Sequence, residues 1–170
     1  EEDPEVLGLL IRAVGLMGRG YGTARDTLLG LLEAAMVSHG SGPPALAAAS
    51  SAERVALAGH AAFELGSRDP EAPVFAGLYD VAIRLDAGGR SAYMIEGPLR
   101  REVLGALVHA AADAEETRHQ VHDLVLKWLD QDADEQVGRR AAAEAGRVID
   151  RDSLDALTKV ATDAEDGVLR

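Results

Sequence analysis

Cysteine is missing from this chain of 170 residues, so disulfide staples, thiolate nucleophiles and cysteine-held metals are excluded. The same absence is compatible with a reducing compartment, and a cytoplasmic location is expected. Aromatic residues are nearly as scarce, at 4% of the chain with a single Trp. Positive charge is also in short supply, with 17 Lys and Arg against 29 Asp and Glu, a formal net charge of −12. Such a field repels phosphate backbones and anionic lipid, which argues against nucleic acid and membrane as partners and for a basic protein. No apolar run approaches the roughly 20 residues that span a bilayer, and the first residues carry no signal-peptide pattern. The chain opens at Glu1 without Met and closes on a polar run from Asp163 to Asp166 followed by Gly167-Val168-Leu169-Arg170. These ends lead us to expect a domain of a longer polypeptide, and its oligomeric state stays open.

What is present is small and aliphatic. Ala, Leu and Val dominate an apolar share of 47%, and Ala and Leu lead the helix-propensity ranking. The expected class is all-α, with about eight helices in a single domain over 1–170.

Asp3-Pro4-Glu5 is a strong helix start. The helix from Pro4 to about Arg19 is apolar on most sides and is expected to need cover on two of them. Thr23 opens a second helix to about His39, and Gly40 to Pro44 is a connector. Ala45 to Ala49 forms at most a short helical turn. Ser51-Ala52-Glu53 opens a helix to about Gly66, and Asp69-Pro70-Glu71 opens another to about Leu85. Ser91 to Gly97 reads as a loop or short helix ending at Pro98. Leu99 to about Asp113, Ala114 to about Asp130, Asp134 to about Ile149 and Asp152 to Ala164 complete the set. A β reading competes once, where Val81–Leu85 and Ser91–Ile95 flank Gly88-Gly89 as hairpin strands would. The helical period through Val74, Leu78, Val81 and Leu85 outweighs it.

A shift of 97 residues lays Glu5–Leu32 on Glu102–Leu129 without a gap. Identical pairs are Glu5/Glu102, Val6/Val103, Leu7/Leu104, Gly8/Gly105, Leu10/Leu107, Ala13/Ala110, Asp26/Asp123, Leu29/Leu126 and Leu32/Leu129. Ile11/Val108, Leu28/Val125 and Leu31/Trp128 keep apolar bulk. Self-similarity of this kind points to repeat architecture. The helices group into pairs at about 4–39, 51–85, 99–130 and 134–164, which predicts antiparallel pairs stacked as a short right-handed α-solenoid.

Units of this length resemble those of the HEAT and armadillo families. The segment from Ala58 to Gly66 also resembles the first helix of a tetratricopeptide unit, although the tetratricopeptide Trp and Tyr positions are empty. The HEAT-like resemblance is the better one, and it implies a non-enzymatic scaffold that binds proteins through a row of helices.

Candidate chemistry is thin. Glu115, Glu116, His119, His122 and Asp123 form the densest titratable cluster, and Glu116-x-x-His119 has the spacing used by two-metal carboxylate bundles. Only one such motif exists. At 100° per residue the inward face of its helix is Val121, Leu124, Val125, Trp128 and Leu129. His119 points away from that face, and His122 and Glu115 flank it, so the cluster reads as a solvated face. His60 and Glu64 have the i,i+4 spacing of a local hydrogen bond. His109 reads as a boundary residue, and His39 sits near a helix C-terminus. The glycines of Gly18–Gly22 and Gly88-Gly89 lack the strand and the Lys-Ser or Lys-Thr of a phosphate loop, and no Gly-x-Ser-x-Gly elbow exists. Trp128 reads as a core anchor, while Tyr79, Tyr93 and Met94 are candidates for a binding surface.

No catalytic, cofactor-binding or metal-binding residue is therefore assigned, no cofactor is expected, and the chain is read as no enzyme. Its expected role is a protein-interaction or scaffold domain with an acidic surface. The alternative is a closed helical bundle that binds a small ligand or regulates an attached domain.

Overall fold

Asp3 begins the first helix as its position predicts, its Oδ1 accepting from the Glu5 N–H at 2.9 Å. The computed structural model describes residues 3–17, 21–36, 43–67, 72–87, 93–111, 115–131, 134–148 and 158. Among them every regular element is helical: α1 (Pro4–Met17), α2 (Gly22–Met36), α3 (Pro44–Ala48), α4 (Ser51–Gly66), α5 (Ala72–Ala87), α6 (Tyr93–Ala111), α7 (Glu115–Gln131) and α8 (Glu135–Val148). The all-α class and the eight helices follow directly. None of the helices is long and apolar enough to cross a membrane. The helix expected over 152–164 lies outside the described residues except for Thr158, which is helical.

One helix start differs from the expected one. Pro98 lies inside α6 rather than at its start. It removes one N–H from the ladder and frees the carbonyl four residues back. Pro98 itself is exposed. The hairpin alternative fails at both flanks, because α5 runs on to Ala87 and α6 begins at Tyr93. The third long helix opens at Ser51 as expected, and Ser50 caps it. Ser50 and Glu53 form a capping box, with the Ser50 N–H donating to Glu53 Oε2 at 2.7 Å.

The helices pack in two rows. α1 packs on α4, α4 on α6, and α6 on α8. On the other side of the core, α2 packs against α1, α4 and α5; α5 packs on α6; and α7 packs on α6 and α8. Asp86 of α5 ties α5 to α7, accepting from Trp128 Nε1 at 3.1 Å and from Lys127 Nζ at 2.6 Å. The buried side chains between the rows form one cluster that includes Leu28, Leu57, Leu65, Leu78, Val103, Leu107, Val125 and Trp128. Arg54, buried at 4% exposure, pins the ends of two helices to α4, donating to Leu46 O and Ala34 O at 2.7 Å each.

Glycines set the spacing of the first row. A Cβ on Gly8 would stand 3.6 Å from Leu57, and one on Gly59 would stand 3.7 Å from Glu102. Gly15 similarly faces Glu64, Gly66 faces Ala106, Gly97 faces Asp134 and Gly105 faces Arg140. In each neighbouring pair the residue numbers rise together, so α1, α4, α6 and α8 run in the same direction. The aligned glycines Gly8 and Gly105 each receive the next helix of the row.

The aligned segments differ at one flank. In the second helices burial coincides: Leu28 and Val125, and Leu32 and Leu129, are all buried. In the first helices Leu107 is fully buried, whereas its counterpart Leu10 is 55% exposed, and Leu9 and Leu16 are each 65% exposed. Among the described residues α1 is thus covered on one side, not on the two expected from its apolar sequence. It has only α4 beside it in the row, whereas α6 lies between α4 and α8.

Candidate functional site

Three hollows lie on the outer side of the first row. Ala56, His60 and Phe63, three and four residues apart on α4, form an exposed strip between α1 and α6. Such spacing keeps side chains on one face of a helix. Along this strip lie three adjoining depressions. One of about 420 Å³ is bounded by Glu5, Leu9 and Arg12 of α1 and by Glu53 and His60 of α4. The middle one, of about 430 Å³, adds Phe63 and Glu64 and reaches Pro98 and Glu102 of α6. A smaller one of about 160 Å³ continues past Phe63 and Glu102 to His109, Arg140 and Arg147. The first two share Arg12, Ala56 and His60; the last two share Phe63 and Glu102.

Among the described residues several charges elsewhere are paired. Arg25 meets Asp26, Arg84 meets Asp80, Arg139 meets Glu135, and Glu144 sits between Arg140 at 3.0 Å and Arg147 at 3.3 Å. Buried Arg100 lies over the Trp128 ring, 5.7 Å from its centroid. The middle hollow differs. Among the described residues its four titratable side chains, Arg12, His60, Glu64 and Glu102, form no ion pair and no side-chain hydrogen bond. Glu64 is the most unusual of them. At 4% exposure it is almost wholly buried, and it lies where a side chain on Gly15 would have to stand. In the adjoining hollow the Glu53 carboxyl is held below its ordinary pKa, first by the Ser50 hydroxyl and then by the Ser50 backbone N–H.

No hydrogen bond joins His60 to Glu64, contrary to the expected local pair. Four residues of helix advance about 400°, so Glu64 is turned some 40° from His60 and tucks under α1, while His60 stays on the exposed strip. Trp128 is in the core at 2% exposure, and Val121, Leu124, Val125 and Leu129 are buried with it. His119 is exposed and its Nδ1 lies 3.1 Å from Glu115 O; His122 is half-buried with Nδ1 3.0 Å from Asp123 Oδ1. Among the described residues no three His, Cys, Asp or Glu side chains are grouped to hold a metal ion. His109 is half-buried, as a boundary residue should be. Tyr79 stacks on Phe75 at 5.7 Å between ring centroids, whereas His39, Gly18 to Gly20, Gly88-Gly89 and the side chains of Tyr93 and Met94 lie outside the described residues.

Sequence reasoning passed over Arg12, Phe63 and Glu102. Phe63 carried a readable signal, an aromatic residue in line with Ala56 and His60 on the polar side of its helix. Comparison with known protein families, with characterised proteins and with solved structures finds no match for this chain.

Proposed function

We propose that this chain is a non-enzymatic docking domain, a short HEAT-like stack of helix pairs wound as a right-handed α-solenoid, that binds a basic segment of a protein partner in the cytoplasm. The observation that carries the reading is the run of three hollows, end to end, along the outer side of α1, α4, α6 and α8. A continuous trench over parallel helices suits an elongated partner better than a compact substrate. The net charge of −12 favours basic partners and speeds their encounter.

Hydrogen exchange tests this. An amphipathic peptide of arginine and leucine should slow exchange in α1, α4 and α6 at physiological salt, and its glutamate and leucine counterpart should not. Equal protection by both, or by neither, sinks the proposal. Small-angle scattering separates a solenoid, with an elongated profile, from a closed bundle.

A second reading, a bundle that binds a small ligand, draws support from one observation. The two larger hollows, about 420 and 430 Å³, fall within the range of roughly 300–1,000 Å³ typical of small-molecule sites.

A further inference from the structure

A carboxylate taken out of water without a partner is costly, and native proteins pair or hydrogen-bond such groups. Each of the other buried charged groups here has at least one partner, although Arg100 Nε and Glu144 Oε2 form no hydrogen bond. Arg54 donates to two carbonyl oxygens, Arg100 lies over an indole ring and Glu144 meets two arginines. Glu64 alone of the four buried polar or charged side chains lacks a partner within the described fold, yet it lines the middle hollow. A group so placed is complete only when something enters the hollow.

The surroundings define what enters. Across from Glu64 stands Glu102 of α6, half-buried and also unpaired. Between the helices the wall is apolar, made by Val55, Pro98 and Phe63, the last 58% exposed. Two carboxylates and an open aromatic face call for a cation on an apolar stem. A guanidinium fits better than an ammonium, because it is planar, more weakly hydrated, able to fork between carboxylates and able to stack on a ring. Arg12 stands where the middle hollow joins the next.

We infer that the middle hollow receives one arginine side chain of the basic partner segment, its guanidinium held between Glu64 and Glu102 against Phe63. The inference rests on the docking reading above and assigns its central contact. Gly15 belongs to the same device, since any side chain there would occupy the space of the Glu64 carboxyl.

The test uses the arginine and leucine peptide and a version with every arginine replaced by citrulline, which keeps the shape and removes the charge. Affinities are measured by titration calorimetry at physiological salt, where exposed charges more than about 8 Å apart are largely screened. Glu64→Gln should weaken binding of the arginine peptide about tenfold or more, as loss of one partner of a desolvated charge pair does. Glu116→Gln, an equal change of net charge on the exposed start of α7, should change it less than about twofold. Neither variant should alter binding of the citrulline peptide. Glu64→Gln should also raise the unfolding midpoint of the free protein, because it replaces a carboxylate that is nearly buried and has no partner among the described residues.

Equal weakening by Glu64→Gln and Glu116→Gln overturns the pocket and leaves the docking reading standing on the acidic field alone. No binding of either peptide to the wild-type chain overturns both. A lowered midpoint for Glu64→Gln places a partner for its carboxyl inside the fold and overturns the pocket. Should that variant not fold, Glu102→Gln and Phe63→Ala decide. Both change accessible side chains, both should weaken the arginine peptide several-fold, and no weakening by either ends the proposal.

Discussion

A Cβ on Gly66 would stand 2.6 Å from the Cα of Ala106, so α4 and α6 meet backbone against backbone. That contact holds the middle of the first row together and fixes the width of the trench beside it. Gly66→Ala should destabilise the fold by about 1–3 kcal/mol, the usual cost of overpacking, despite the gain in helix propensity. Gly30, inside α2, provides the contrast, because a methyl added there would meet nothing within 4 Å. Gly30→Ala should stabilise by about 0.5–1 kcal/mol. Urea unfolding of the two variants measures both signs.

Leu10 and Leu107 are identical residues at matched positions of the two similar segments, yet one is 55% exposed and the other fully buried. Leu107→Ala should cost about 2–5 kcal/mol through lost burial and the cavity it leaves. Leu10→Ala should stay within about 0.5 kcal/mol, as surface changes do. Near-equal costs would show that the exposed flank of α1 is covered in solution.

Asp86 joins α5 to α7 through two contacts of unequal worth. Trp128 is buried and its indole N–H has Asp86 as acceptor, whereas Lys127 is half-exposed. Asp86→Ala should cost about 1–3 kcal/mol by leaving that N–H unsatisfied. Lys127→Ala should cost about 0–1 kcal/mol, the range of a surface pair. Because Trp128 is the only tryptophan, its fluorescence follows both unfolding curves without interference.

The capping box of α4 makes a pH-dependent contribution. The Glu53 carboxyl is held below its ordinary pKa by Ser50, so its stabilising effect is full above the unfolded-state pKa and disappears as pH falls through the folded-state value. Ser50→Ala should return the Glu53 titration towards the ordinary glutamate range, as followed by carboxylate NMR shifts. The same variant should lose less stability on acidification than the wild type does. An unchanged Glu53 titration would contradict the capping contact.

Much of the fold was legible because helices are local. The start at Asp3-Pro4, the length of α4 and the inward face of α7 each depend on residues within a turn or two of one another. Projection at a fixed angle per residue therefore found Val121, Leu124, Val125, Trp128 and Leu129 without any knowledge of neighbours. Pro98 misled because its cost depends on which side of the helix it faces, and that side is set by packing. The site was less legible still. Glu64 looked like half of a local pair with His60, and nothing within its own helix reveals that Gly15, some 50 residues earlier, leaves room for its carboxyl.

The chain alone determined an all-helical fold, an acidic surface and two similar helix-pair segments, since propensity, charge and periodicity are properties of short stretches. Tertiary structure alone decided that, among the described residues, α1 keeps one apolar flank open, and that Glu64 is nearly buried without gaining a partner. Those outcomes depend on how rigid helices far apart in sequence settle against each other. A difference of a few ångströms in that settling turns a solvated charge into a buried one.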